Sequence, residues 1–203
     1  MTTFHQRLPL VGAASWIKTV AFVAAMLVTG LVTGVGSAAA ETPAGYMQRV
    51  ANQLIEAQKS GTEDDFATVI RSHADVPTIG LTALGSYAQS LNKADRPAYY
   101  AGMINFISRY AAKEAPKYPV LRAIMVGQTK ETANGIYVDS RITLRTGENY
   151  DVRWRIVRRG SVFKVRDAEI IGFEMTSFLN NLFQNYISEN GGNPRTLVLA
   201  LNR

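Results

Sequence analysis

Cysteine is absent from this chain of 203 residues, and histidine occurs twice. Without cysteine the protein has no disulfide scaffold, no catalytic thiol, no cysteine-ligated metal and no lipid anchor on an amino-terminal cysteine. Charge is also scarce, because Asp, Glu, Lys and Arg make up 19 % of the chain whereas apolar residues make up 47 %. That balance excludes an intrinsically disordered chain and favours a globular protein.

No charged residue occurs between Lys18 and Glu41. The basic residue Arg7 lies before this apolar stretch, and the small residue Ala40 ends it. A basic start, an apolar centre and small residues at the end predict a secretory signal peptide over residues 1–40, cleaved after about Ala40. An uncleaved membrane anchor is the alternative, because a run of 22 uncharged residues is long enough to span a bilayer.

Cleavage leaves residues 41–203, which we expect to form a single domain. The net charge of +6 falls to +4, because Arg7 and Lys18 are removed. A domain of this size buries a large core without disulfides. An exported chain without cysteine therefore predicts a periplasmic protein rather than a small extracellular domain.

Apolar residues recur at helical spacing in the first half of this domain. Tyr46 and Leu54 lie on the apolar face of a first helix, which is predicted to end at Gly61. Thr62 is predicted to cap a second helix, and acidic residues follow in its first turn, where the helix dipole favours them.

Two further helices follow in the sequence. Residues 75–80 are expected to form a loop first, because Pro77 biases the residue before it towards an extended conformation. Helices are then predicted over residues 81–91 and 93–115. Gly85 weakens the shorter one, so a close packing contact is expected there.

The second half alternates apolar and polar residues, which is the period of a strand with one buried face. Strands are predicted over residues 136–145, 150–156 and 162–171, and residues 120–128 are expected to form a fourth. The alternation slips near Asp167, which predicts a β-bulge. The intervening turns are short, so the strands form an antiparallel meander.

The chain closes with two predicted helices. The longer covers about residues 175–189, and Asn193 caps the shorter, with Pro194 at its first position. Helices segregated from an antiparallel sheet indicate an α+β fold. We expect the amino-terminal helices to pack on one face of a carboxy-terminal antiparallel sheet of about four strands.

Few side chains suit catalysis. His73 is the one histidine after residue 40, and it lies on an apolar helix face, so we interpret it as a packed structural residue. The motifs of serine hydrolases, phosphate-binding loops and zinc proteases are all missing from the sequence, and no cofactor or metal is expected. Asp167, where the strand slips phase, leaves one alternative open: a small cone-shaped α+β enzyme of the isomerase or hydratase type.

Residues 141–166 hold eight basic side chains and two acidic ones. Nucleic-acid binding is not expected, because the chain is exported and no stacking aromatics interleave the basic positions. We interpret the group as a solvated outer face of the sheet. Docking to anionic lipid headgroups or to an acidic partner is the alternative.

Two groups of residues carry a family resemblance. The helical half holds the run Leu84-Gly85-Ser86-Tyr87, followed by Arg96, Tyr99, Phe106 and Tyr110. The strand half holds YDVRWRI from Tyr150 to Ile156, then FKVRD from Phe163 to Asp167, then Ile171-Gly172-Phe173. At these positions, over nearly all of residues 45–201, the chain resembles the MlaC-type proteins, also called toluene-tolerance proteins.

Two positions depart from the family pattern. Residues 179–183, LNNLF, replace the usual Tyr-Arg-Ser-x-Phe, and Phe163 stands where tryptophan is common. Both departures concern the ligand more than the fold.

The resemblance implies a periplasmic lipid carrier rather than an enzyme. It implies a cavity between sheet and helices that takes up the acyl chains of a phospholipid, or of a hopanoid if the chain belongs to the HpnM branch. The implied partners are an inner-membrane ABC transporter with an MCE-domain protein and an outer-membrane lipoprotein, which together maintain outer-membrane asymmetry. A periplasmic adaptor that carries no lipid stays open as an alternative.

Inward strand positions and the helix residues expected to face them become candidate lipid contacts. The strand positions are Val138, Ile142, Val152, Trp154 and Ile156. The helix positions are Leu84, Tyr87, Phe106 and Tyr110, with Phe173 and Phe178 expected at the cavity mouth. A charged side chain at Val152 or Ile142 is predicted to abolish lipid retention.

Overall fold

A computed structural model describes residues 41–203, so the predicted signal peptide over residues 1–40 lies outside the described residues. The helices are α1 Pro43–Ser60, α2 Glu63–His73, α3 Val76–Leu84, α4 Arg96–Glu114, α5 Met175–Glu189 and α6 Pro194–Leu201. Short 3₁₀ turns occupy Gly85–Ala88, Lys93–Asp95 and Ala115–Lys117. Between residues 41 and 203, every helix is too short or too polar to cross a membrane.

The strands are β1 Val120–Thr132, β2 Gly135–Leu144, β3 Asn149–Arg159, β4 Val162–Ile170 and β5 Phe173–Glu174. They form one antiparallel sheet in the order β1-β2-β3-β4-β5. This confirms the predicted α+β class and the meander, with five strands rather than about four. The additional strand is a two-residue piece that pairs with the end of β4.

The phase slip in β4 is a bulge. Arg155 pairs with Asp167, but the next residue of β3, Ile156, pairs with Val165. Arg166 is therefore the extra residue, which confirms the prediction made from the alternation.

Predicted capping residues take their roles in the structure. Gly61 ends α1 in the left-handed conformation, with φ of 71°. The Thr62 hydroxyl accepts the backbone N–H of Asp65, and the Asn193 side chain accepts that of Arg195. These interactions confirm the predicted end of α1 and the predicted starts of α2 and α6.

The loop predicted over residues 75–80 is wrong, because α3 begins at Val76. Pro77 lies in its first turn, where the missing N–H of proline has no helical partner to lose. The helix predicted over residues 81–91 ends at Leu84, since Gly85 has φ of 54°. A Cβ atom on Gly85 would lie 2.7 Å from the Gln184 side chain, which confirms the close contact expected there.

The core has separate helical and sheet parts. The helical part joins α2 to α6 around Tyr99, Met103 and Phe183. The sheet part lies under the first half of α1, where Tyr46 and Met47 pack on β2, β3 and β4. Helix α1 therefore lies along one face of the sheet, as predicted for the amino-terminal helices.

Candidate functional site

A cavity of about 590 Å³ opens between the second half of α1 and the inner face of the sheet. Its walls are aliphatic and aromatic, with Gln58 as an amide and the hydroxyls of Tyr118 and Tyr150 as further polar groups. Cavities of this size and polarity are typical sites for apolar ligands. The lining residues are Ala51, Leu54, Ile55, Gln58, Phe66, Ala115, Tyr118, Val120, Ala123, Ile142, Leu144, Tyr150, Val152, Trp154, Ile170 and Ile171.

The cavity begins where the filled part of the interface under α1 ends. Tyr46 and Met47 fill the gap to the sheet at the start of the helix. One turn later Ala51 of α1 lines the cavity, and Ala123 of β1 lines it as well. Trp154 contributes to both regions, since it packs against the filled part and lines the cavity. Its ring therefore forms the boundary between filled core and open cavity.

The polar atom of Trp154 is already bonded. Its indole N–H donates to the Ser140 hydroxyl over 2.8 Å, and that hydroxyl donates to the carbonyl of Val152 over 3.3 Å. The indole needs no partner from a ligand, so the ring offers the cavity an apolar surface.

Two glutamines of α1 hold the helix to the edge strand. The Gln58 amide donates to the carbonyl of Tyr118 over 2.9 Å and accepts the N–H of Val120 over 2.8 Å. The Gln48 amide donates to the carbonyl of Ala123 over 2.8 Å and accepts the N–H of Met125. Together they bond backbone groups of the edge strand β1 and of Tyr118 just before it, which ties α1 to this edge of the sheet.

The mouth is apolar and exposed. Ile171 lines the cavity, is 67 % exposed and has φ of 53°. Tyr118 lies on the rim and is 55 % exposed. A β-branched residue in the left-handed region is strained, so the turn holds Ile171 in a conformation that it does not prefer.

The structure brings three of the predicted contact residues together at the cavity: Ile142, Val152 and Trp154. It places the others elsewhere. Val138 and Ile156 belong to the filled sheet core, and Leu84, Tyr87 and Phe106 belong to the helical core. Tyr110 and Phe178 contact each other with ring centroids 6.2 Å apart, and Phe173 is 75 % exposed on β5.

Part of the lining that was not predicted has a signal in the sequence. Leu144 and Tyr150 continue the alternation of Ile142 and Val152, and Leu54 lies on the predicted apolar face of α1. Ala51, Ala115 and Ala123 give no such signal. The spacing of apolar residues in the sequence is the same whether an alanine lies in a filled core or beside a cavity.

Asp167 has structural partners on all sides. It is buried, its carboxylate accepts the N–H groups of Ala168 and Thr176 over 2.9 and 3.0 Å, and Arg155 donates to it over 3.0 Å. These bonds join β4 to the start of α5. The geometry therefore gives Asp167 a role in the fold and does not favour the enzyme alternative.

His73 is likewise bonded within the protein. Its Nε2–H donates to Gln53 Oε1 over 2.6 Å, so Nδ1 of the neutral ring accepts the hydroxyl of Tyr46 over 3.2 Å. Burial, with help from the charge of Arg49, lowers the pKa of His73. The ring is neutral at pH 7, which fits the predicted structural role. Among residues 41–203, no group of His, Asp and Glu is arranged to hold a metal ion.

The basic positions of the strands are largely neutralised by carboxylates. Across the outer face, Arg141 pairs with Asp151 over 2.9 Å, and Arg153 pairs with Asp139 over 2.8 Å. Opposite charges alternate between neighbouring strands, which stabilises their register. The outer face is therefore a solvated surface of mixed charge.

Comparison with protein families matches residues 46–203 to the family described as MlaC protein. Among solved structures, the chain is similar to a phospholipid-binding protein from Ralstonia solanacearum, determined in complex with a phospholipid. The two share 16 % sequence identity with a TM-score of 0.65, over 78 % of this chain and 94 % of the other. No curated protein matches the sequence.

Proposed function

Because the chain belongs to the MlaC family, we propose that it is a periplasmic lipid carrier and not an enzyme. It sequesters the acyl part of a phospholipid, or of a hopanoid, between α1 and the sheet. The observation that carries the proposal is the cavity of about 590 Å³ with its almost wholly apolar wall. The likeness of the fold to a protein that binds a phospholipid supports it.

The energetics of carrying need no reactive group. Each methylene gains about 0.8 kcal/mol when it leaves water for an apolar cavity. It gains almost nothing when it leaves a bilayer, because both environments are apolar. The cavity therefore protects a lipid in the aqueous space, and the direction of transport comes from the partners.

The proposal includes export and partners. We propose that residues 1–40 are a signal peptide cleaved after about Ala40, and that residues 41–203 are the carrier domain. The carrier then shuttles lipid between an outer-membrane lipoprotein and an inner-membrane ABC transporter with an MCE-domain protein. The family relationship supports these assignments.

The test is native mass spectrometry of the protein purified from a periplasmic extract, followed by organic extraction of its ligand. A stoichiometric phospholipid supports the carrier assignment, and a stoichiometric hopanoid supports the HpnM branch. A ligand-free mass together with no lipid uptake from phosphatidylethanolamine–phosphatidylglycerol vesicles overturns the proposal and favours an adaptor.

A further inference from the structure

One side of the cavity mouth carries exposed apolar side chains between basic ones. Residues 117–122 lead from the end of α4 into β1 and read Lys-Tyr-Pro-Val-Leu-Arg. We call this segment the cationic lip. Tyr118 and Val120 line the cavity, and Tyr118 is 55 % exposed. The lip is therefore part of the opening through which the cavity meets solvent.

Leu121 is the extra residue of a β-bulge in the lip. Val120 pairs with Leu144 of β2, whereas Arg122 pairs with Thr143, so Leu121 has no partner in the ladder. Bulges re-aim side chains, and Leu121 is 59 % exposed. The fold therefore keeps a large apolar side chain in water on an edge strand, where charged residues are the usual choice.

Two arginines give the lip its positive sign. Arg122 follows Leu121 directly, and the backbone N–H of Arg145 donates to the carbonyl of Pro119 over 2.8 Å, which places Arg145 beside the lip. Both arginines are exposed. Within residues 41–203, neither of them forms an ion pair with a carboxylate. Their charges therefore face solvent without a counter-charge from the protein.

The other charges near the lip balance one another. Lys117 pairs with Glu114 over 2.7 Å, and Lys113 lies exposed one turn earlier. Glu148 lies in the turn after β2, where its carboxylate accepts the hydroxyl of Thr146 over 2.9 Å. Two lysines thus oppose two glutamates, and the charge of the arginines is left over.

The other side of the mouth has the opposite sign. There Phe173 is 75 % exposed, and Glu169 of β4 faces Glu174 of β5 directly across the ladder. Neither glutamate has a basic partner in the part of the chain that the structure describes. An anionic surface attracts the cationic lip and repels this side.

We propose that the cationic lip docks on the surface of an anionic phospholipid bilayer. Tyr118 and Leu121 then lie in the headgroup region, where tyrosine is enriched and an exposed leucine leaves water. Arg122 and Arg145 lie beside the lipid phosphates. This contact brings the cavity mouth to the membrane. It goes beyond the proposed function, which assigns no surface of the protein to a bilayer.

The first test is flotation of the protein, purified from a periplasmic extract, with vesicles of phosphatidylglycerol or of phosphatidylcholine. The protein is expected to float with phosphatidylglycerol at 0.1 M salt, more weakly at 1 M salt because salt screens the charges, and weakly with phosphatidylcholine. Failure to float with phosphatidylglycerol at low salt, or equal flotation with both lipids, overturns the proposal.

Charge-neutralising variants assign the binding to the lip. Arg122→Gln and Arg145→Gln are each expected to weaken binding to phosphatidylglycerol vesicles about fivefold. Lys130→Gln removes the same charge about 25 Å away along β1, beyond the screening length of about 10 Å at 0.1 M salt, and should change nothing. An effect of Lys130→Gln as large as those of the lip variants contradicts the proposal.

A matched pair of leucine variants tests the apolar contact. Leu121→Ser is expected to weaken vesicle binding about tenfold. Leu199→Ser makes the same change at a leucine that is 56 % exposed on α6. That helix packs on α4 at Gly102, about 18 Å along α4 from the end that leads into the lip, so no effect is expected. Wild-type binding by folded Leu121→Ser contradicts the proposed contact.

The absence of cysteine allows a fluorescent label at one chosen position. A nitrobenzoxadiazole dye on Leu121→Cys is expected to brighten and shift to the blue on phosphatidylglycerol vesicles, because it leaves water. The same dye on Leu199→Cys should stay unchanged. Phe173→Cys reports on the other side of the mouth, and a response there without one at position 121 overturns the proposed docking face.

One variant separates docking from uptake of lipid into the cavity. Val152 lines the cavity and is not part of the lip, so Val152→Asp should lose its lipid and still float with phosphatidylglycerol vesicles. Loss of flotation in folded Val152→Asp would show that lipid uptake holds the protein on vesicles, which overturns the docking proposal. Wild-type protein that carries lipid but never floats also overturns it, leaves the carrier function standing and favours a protein partner at the lip.

Discussion

Asp75 is a buried carboxylate between α2 and α3 that joins the helices to the sheet. Arg159 donates to it over 2.8 Å, and Arg166 over 3.0 Å, from β3 and β4. Burial acts to raise the pKa of Asp75, but hydrogen bonds from Arg166, Arg159 and Thr78 outweigh it, so the pKa lies below its usual value. The ionised form therefore stabilises the fold above about pH 4, and that contribution is lost as pH falls through the folded-state pKa.

Asp75→Asn is expected to lower the free energy of unfolding at pH 7 by about 2–3 kcal/mol, because two guanidinium groups lose their counter-charge. The variant should also lose less stability than the wild type between pH 4 and pH 2.5. Urea denaturation across that pH range measures both effects. Asp151→Asn removes an exposed partner of Arg141 and serves as the control, with little change expected. An Asp75→Asn variant as stable as this control would contradict the prediction.

Val152 lies on the cavity side of β3, so an acidic residue there tests the ligand contact directly. Val152→Asp is expected to abolish lipid retention, because a carboxylate in an apolar cavity stays hydrated or excludes the acyl chain. Lipid extraction from the purified variant measures the loss, and Ile142→Asp should behave alike. Thr143→Asp, beside Ile142 on the opposite face of β2, should retain lipid. Normal lipid content in folded Val152→Asp would place the ligand elsewhere.

The contact between α1 and β1 depends on glutamine amides rather than on strand pairing. Gln58→Leu leaves the N–H of Val120 and the carbonyl of Tyr118 without these partners, and we expect it to cost about 1–3 kcal/mol. Hydrogen exchange of the Val120 amide should accelerate more than that of Met125, which bonds to Gln48. Gln128→Leu, exposed on β1, is the control. Unchanged exchange at Val120 would show that the amide bond does not hold this edge.

The junction of α3 and α5 depends on a glycine. Gly85→Ala is expected to destabilise by about 2–4 kcal/mol, the sum of left-handed strain and overpacking against Gln184 and Asn180. Gly160→Ala shares the positive φ but has open space around its Cβ position, so it should show the strain alone, about 1–2 kcal/mol. Thermal unfolding of both variants measures the difference. Equal destabilisation would mean that the Gln184 contact adds nothing.

At the scale of the whole molecule, an empty apolar cavity lowers the stability of the fold, because the side chains that line it lack packing partners. Filling it with a ligand that binds only the folded state adds about 2.7 kcal/mol at a hundredfold excess over Kd. For a domain of this size that raises the Tm by roughly 5–10 °C. Calorimetry of delipidated protein with and without phosphatidylglycerol measures the shift. Val152→Asp should show none, and an unshifted Tm in the wild type would argue against the cavity as the binding site.

The predictions from sequence were most accurate where local chemistry decides the structure. Residue type alone predicts the caps at Thr62 and Asn193 and the end of α1 at Gly61. The period of the apolar residues predicts the bulge beside Asp167. Residues 75–80 show the limit of such rules, since proline permits both a loop and a first helical turn. In the structure, the N–H of Asp75 donates to the carbonyl of Val165 in β4 over 2.7 Å, and the carbonyl of Asp75 accepts the first helical bond from Ile79.

The candidate site was predictable in part for a related reason. Alternation in β2 and β3 identified the inner face of the sheet, and Ile142, Val152 and Trp154 line the cavity. Periodicity does not state which helix covers that face. Phe106 and Leu84 were expected there, but they complete the separate helical core, and α1 takes the position.

The sequence by itself determined the α+β class, the meander and the family, because periodicity, turn residues and scattered family positions are properties of the chain read in order. Tertiary structure alone decided where the apolar faces meet and where they leave a gap. Ala51 of α1 and Ala123 of β1 both line the gap, although they lie far apart in the sequence. A cavity is a relation between distant surfaces, so it exists only once the chain has folded.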